Sequence, residues 1–157
     1  MRWTSLLAAI AVAALATGCS TPVAPNESVP VVPVTQSDDS AIGAETTFVI
    51  RSNEELAVAW SQIYGERARL TLPPQIDFNA YMLVIVAIGR QPSSGFSVKI
   101  TGATRERDGL VVHVTVGRPG ENCGTAAVIT SPVAIARLPR TDGPVRFDIT
   151  RTSVPCR

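Results

Sequence analysis

Hydrophobic and polar positions along this chain change period several times, and each change marks an element. Met82 to Ile88 is an unbroken apolar run. It is too short to cross a bilayer and rich in branched residues, which predicts a strand buried on both faces. From Phe96 the period becomes two: Phe96, Val98 and Ile100 are apolar and Ser97, Lys99 and Thr101 polar, the pattern of a half-buried strand. This second strand is expected to lie alongside the first as its partner. Beyond the hairpin signal Asp108-Gly109, Leu110, Val112, Val114 and Val116 occupy one face and Val111, His113 and Thr115 the other. Ala126 to Thr130, Val133 to Leu138 and Val145 to Ile149 read as three more short strands, punctuated by Ser131-Pro132 and Asp142-Gly143-Pro144.

One segment carries the helical period. After the β-branched run Thr46 to Ile50, Ser52-Asn53-Glu54-Glu55 has capping-box spacing, so a helix should begin there. Leu56, Ala59, Trp60 and Ile63 then fall three and four residues apart, one stripe to lay against a sheet until Gly65 stops the helix. Thr71 to Asn79 is an ordered connection in which Asp77 caps a turn. Together these elements predict an α+β, mainly β fold: a small antiparallel sheet or sandwich with one N-terminal helix packed on it.

The first residues follow a different logic. Arg2 supplies a basic start, Leu6 to Ala16 an apolar run, and Thr17 and Gly18 small residues before Cys19. Residues 1–18 are expected to be a secretion signal. Ala16-Thr17-Gly18-Cys19 resembles the lipobox of bacterial lipoproteins, with Ala16 where leucine is usual. That resemblance implies that Cys19 is lipidated and becomes the first mature residue; an ordinary cleaved signal with a coincidental cysteine is the alternative. Each buried methylene contributes about 0.8 kcal/mol, so two or more acyl chains would make attachment effectively permanent. Ser20 in place of aspartate after the cysteine implies the outer membrane in a cell with two membranes, so the expected location is the bacterial cell envelope. Residues 19–44, with Pro22, Pro25, Pro30 and Pro33 and no hydrophobic period, are expected to form a disordered tether. Residues 45–157 are left as the folded domain.

Composition narrows the chemistry. With 45% hydrophobic and 17% charged residues the chain is globular, and its formal charge of +1 implies neither nucleic acid nor an anionic surface as partner. With Cys19 assigned to lipid, Cys123 and Cys156 remain, and an exported chain is expected to join them, which would contribute roughly 3 kcal/mol through the unfolded state. A reactive Cys123 beside His113 is the functional alternative. His113 is the sole histidine, with no carboxylate or cysteine at a ligand spacing. There is no Gly-x-Ser-x-Gly elbow, and no pair of acids stands out by spacing. No catalytic residue, metal site or cofactor is therefore expected.

The candidate contact residues lie between the first two strands: Gly89, Arg90, Gln91, Pro92, Ser93, Ser94, Gly95 and Phe96. Such a loop is either a plain hairpin turn or a surface whose small residues let another backbone approach, and composition alone favours the turn. The Asp77-Phe78 lead-in, the apolar strand, the loop through Phe96, and later Pro132 and Leu138-Pro139 together resemble the C-terminal domain of the PrcB family of protease-complex subunits, over about Phe48 to Ile149. Phe96 stands where tyrosine is frequent there, and Val133 where an aromatic is. The resemblance implies a non-catalytic accessory lipoprotein that binds another exported protein, by analogy a protease. Pro92-Ser93-Ser94-Gly95-Phe96 is also similar to a loop of chagasin-type cysteine-protease inhibitors. That family's Gly-x-Gly-Gly and Arg-Pro-Trp patterns are absent, which makes inhibitor the second reading.

Overall fold

Strands β1 (Glu27–Val29), β2 (Val32–Ser37), β3 (Glu45–Ile50), β4 (Tyr81–Ile88), β5 (Ser97–Glu106), β6 (Gly109–Pro119), β7 (Val133–Pro139) and β8 (Val145–Val154), with helix α1 (Asn53–Tyr64), are the main regular elements. They lie within residues 26–155, the part of the chain that the computed structural model describes. Two four-stranded sheets form, ordered β1-β5-β6-β8 and β2-β7-β4-β3. Strand β4 shows why they stack. Its even positions Met82, Val84, Val86 and Ile88 pack with Val98, Val112, Val114 and Leu138 between the sheets. Its odd positions Leu83, Ile85 and Ala87 turn the other way, onto Leu56, Ala59, Trp60 and Ile63 of α1. The result is three layers, sheet on sheet on helix, as the mainly β reading with one packed helix expected. The strand that is apolar on both faces is the one covered on both.

Helix α1 starts and stops where its sequence directs. Ser52 Oγ accepts the Glu55 N–H at 3.1 Å, and the Glu55 carboxylate accepts the Arg51 N–H at 2.5 Å. Gly65 leaves the helix at φ 56°, a left-handed value that glycine adopts without cost. Trp60 is a core residue, and its indole N–H donates to the Thr71 carbonyl at 2.7 Å, tying the connection after the helix back onto it. Asp77 caps its turn through the Asn79 N–H at 3.0 Å.

Three expectations need correction. First, β4 and β5 are not partners: β4 pairs with β3 and β7, and β5 with β1 and β6. A strand apolar on both faces needs a layer above and below, which only the helix-covered sheet provides; β5 has one apolar face and joins the sheet whose outer face is open. Residues 89–96 therefore cross between sheets and do not close a hairpin.

Second, much of the expected tether is folded. β1 and β2 pair antiparallel with β5 and β7 as an edge strand of each sheet, and Ser40 and Ile42 are buried. Prolines are tolerated here because Pro30 falls between the two strands and Pro33 at a register shift in an edge strand, where a missing N–H costs no ladder bond. Residues 1–25, which include the signal, Cys19 and the start of the tether, lie outside the described residues, as do Cys156 and Arg157.

Third, Ala126 to Thr130 is not a strand. Only Thr130 bridges, to Gln91, and Ala126 to Ile129 are exposed. Within the antiparallel sandwich one pair differs, β8 running parallel to β6. Between β7 and β8 the chain changes sheets through a corner held by arginines. Arg51 donates to the carbonyls of Thr141 (2.8 Å) and Gly143 (2.9 Å), and Arg140 to those of Arg51 (2.9 Å) and Phe78 (2.8 Å).

Candidate protein-contact site

The crossing from β4 to β5 begins at Gly89, with φ 71° and the backbone of Gly43 and Ala44 pressed against its α-carbon. The rest of the crossing is fixed from behind by the segment that leads into β7. Gln91 and Thr130 exchange backbone bonds of 2.8 and 3.1 Å, and the Ser94 N–H donates to the Ala126 carbonyl at 3.1 Å. Side chains add to this: Ser94 Oγ accepts the Ala126 N–H at 2.9 Å, and Thr130 Oγ1 donates to the Ser93 carbonyl at 3.0 Å. Gln91 Nε2 reaches back to the Ile88 carbonyl at 2.8 Å, and Phe96 packs half-buried on the inter-sheet core. Of the two hydroxyls that the sequence offers as free surface, that of Ser94 is spent holding the two loops together and that of Ser93 donates to the Ser94 carbonyl at 3.1 Å, and their exposed neighbours are Arg90, Pro92 and Gly95.

The second loop supplies what sequence reasoning missed. Val128 is 50% and Ile129 71% exposed, held outward beside Pro92 by the Gln91–Thr130 bridge. Their apolar run suggests a core strand, but the run is half alanine, a poor strand former, and it sits between Gly124-Thr125 and Ser131-Pro132. Ser131 is buried and anchors the end of this loop, its hydroxyl 3.0 Å from that of Ser40 and donating to the Ile42 carbonyl. The paired loops therefore form a rigid ledge with apolar tips. Beside it a cleft of about 220 Å³ is lined by Gln91, Phe96, Arg118, Glu45 and Arg151, and Arg151 clasps both Glu45 oxygens at 2.7 and 2.8 Å. An ordered edge of this kind suits recognition of another protein, because little freedom is lost when a partner docks.

Cys123 lies in the same stretch. Its Sγ is 3.8 Å from the Val154 carbonyl, and the Gly120 N–H donates to that carbonyl at 3.0 Å, so the loop and the end of β8 are neighbours.

His113 acquires partners that sequence spacing does not reveal. On the outer face of the first sheet its Nε2 is 2.8 Å from Thr104 Oγ1 and its Nδ1 3.4 Å from an oxygen of Asp148, the residue paired with it on β8. A hydroxyl, an imidazole and a carboxylate in line resemble a proton relay. Nucleophilic chemistry also needs donors for an oxyanion, and β6, which carries His113, lies between β5 and β8 with its own N–H groups paired to them. Among the described residues no three His, Cys, Asp or Glu side chains are grouped to hold a metal ion.

Residues 82–139 match the family model described as PrcB C-terminal. The match opens one residue into β4 and closes at the end of β7, so it takes in both loops of the ledge and leaves β1, β2, β3, α1 and β8 outside. Neither the search of curated proteins nor that of solved structures gives a match.

Proposed function

From a chain that carries a PrcB C-terminal match over residues 82–139, we propose an envelope lipoprotein, anchored through Cys19, that serves as a non-catalytic accessory subunit of an exported protease complex. The observation that carries this reading is the ledge: two loops inside the matched segment, bonded to each other and raising Val128 and Ile129 into solvent. Side chains of that size cost free energy when left in water, and contiguous exposed ones mark interaction surfaces. The anchor would hold the ledge near a partner confined to the same compartment.

Capture of the protease partner from envelope membranes by the tethered protein tests the reading. Ile129→Asp and Val128→Asp should each weaken capture at least tenfold while the melting temperature stays within about 2 °C, because these positions are exposed and surface changes cost within about 0.5 kcal/mol. Unchanged capture by both variants would remove the ledge from the interface. Fatty-acid labelling lost in Cys19→Ala would support the anchor. An accessory subunit should leave its partner's proteolysis intact or raised, whereas inhibition of that activity would favour the chagasin-like reading.

A further inference from the structure

The edge of the helix-covered sheet furthest from the ledge's second loop is β3, and it is open. The Ile88 N–H bonds to the Pro132 carbonyl at 3.1 Å and the Arg140 N–H to the Ala80 carbonyl at 2.9 Å, so the even positions of β4 turn their backbone groups toward β7. Its odd positions turn theirs toward β3, where Thr46, Phe48 and Ile50 face Ala87, Ile85 and Leu83. Glu45, Thr47 and Val49 are left with N–H and C=O groups directed outward, and no described residue takes those of Thr47 or Val49. Next in line, the Arg51 N–H points the same way and is satisfied by Glu55. Along this edge runs a groove of about 550 Å³ between β3 and α1, with Phe48 and Val58 as its apolar surface and Glu54 and Glu55 at one end. Val58 stands off the buried stripe of α1 and is 59% exposed.

We propose that this groove takes an extended segment of a partner polypeptide, which adds to β3 as a further strand, sets an apolar side chain against Phe48 and Val58, and brings a lysine or arginine to Glu54. An edge strand with free backbone groups beside a helix supplies both parts of such recognition: main-chain bonds for affinity, and a pocket for alternate side chains. Charge decides the occupant. Glu54 and Glu55 at the groove's end attract a basic segment; a second copy paired antiparallel through β3 would set the two acidic helix starts at opposite ends of the joined strands, and dimerisation is the outcome that would reveal it. The inference rests on the reading of this chain as a protein-binding subunit and concerns a surface outside the residues of the family match.

The probe is an acetylated octapeptide with threonine at its odd positions and lysine, valine, valine and lysine at its even ones, so that valine and lysine share the face turned to α1, titrated into the full-length chain by fluorescence anisotropy and by amide chemical shifts. Binding should shift resonances of β3 and the first turns of α1. It should fall at least tenfold when alternate peptide amides are N-methylated, and at least tenfold in Val58→Lys, an exposed position that should not disturb the melt. Glu54→Lys should weaken the lysine peptide and strengthen one with glutamate in its place. Equal binding of the methylated peptide, shifts confined to the ledge, or no binding at all would each overturn the proposal. So would concentration-dependent dimerisation abolished by Thr47→Pro, which would make a second copy the occupant. Loss of partner capture in Ile129→Asp with full capture in Val58→Lys would leave the accessory reading standing and remove the groove from it.

Discussion

Single residues decide how the ledge is set. Gly89 has φ 71°, and a β-carbon there would lie 2.8 Å from the Ala44 carbonyl carbon and 2.9 Å from Gly43 O, backbone atoms that cannot swing aside. Gly89→Ala should therefore lose about 1–2 kcal/mol from its left-handed conformation alone, and more from displaced backbone. Gly124 has nothing within 4 Å of where its β-carbon would be, and Gly124→Ala should stay within about 0.5 kcal/mol of wild type. Chemical denaturation of the pair measures the contrast. Similar midpoints would mean that the crossing adapts and that its shape is not what presents Val128 and Ile129. Ser94 is a poor probe of the same loop despite its small, polar side chain, because its hydroxyl is the acceptor for Ala126 N–H.

Elements show what could be read in advance. The helix was legible to its caps, since Ser52, Glu55 and Gly65 act locally and need no knowledge of the rest of the fold. The double burial of β4 was equally legible, because an apolar run reports its own environment. Pairing was not, because it depends on which layers are available: β4 and β5 are close in sequence yet sit in different sheets. Proline content misled for Glu27 to Ser37, where the same residues that suit a disordered chain also suit an edge strand. The ledge was half legible, its glycines and small residues marking the first loop while the second resembled core. An experiment belongs to this scale. A chain beginning at residue 45 would be intact if the preceding residues were only a tether, but it lacks β1 and β2 and uncovers Val29's neighbours between the sheets. Compared in urea with a chain beginning at residue 26, it should unfold at a clearly lower concentration; equal midpoints would show that the edge strands add nothing to stability.

At the scale of the whole molecule the two ends of the chain matter most. The end of β8 lies against the Gly120 to Cys123 loop, which supports the proposal that Cys123 and Cys156 are joined. Reduction should then lower stability by roughly 3 kcal/mol, as expected for a loop of some thirty residues, and Cys156→Ser should reproduce that loss without reductant. A variant as stable as the oxidised protein would rule the bridge out. The parallel register of β8 on β6 has a further consequence, in the time domain. β6 is made early and waits with one edge bare, while the chain completes β7 in the other sheet, turns the arginine corner and only then supplies its last long strand. β5 likewise takes its other neighbour, β1, from the start of the domain. Pairings between distant stretches of chain form slowly, because the loop must close before any bond rewards it. The inter-sheet core thus cannot be sealed until β8 has been made, so a chain that has emerged only as far as β7 remains open, and the folded state arrives as one late event.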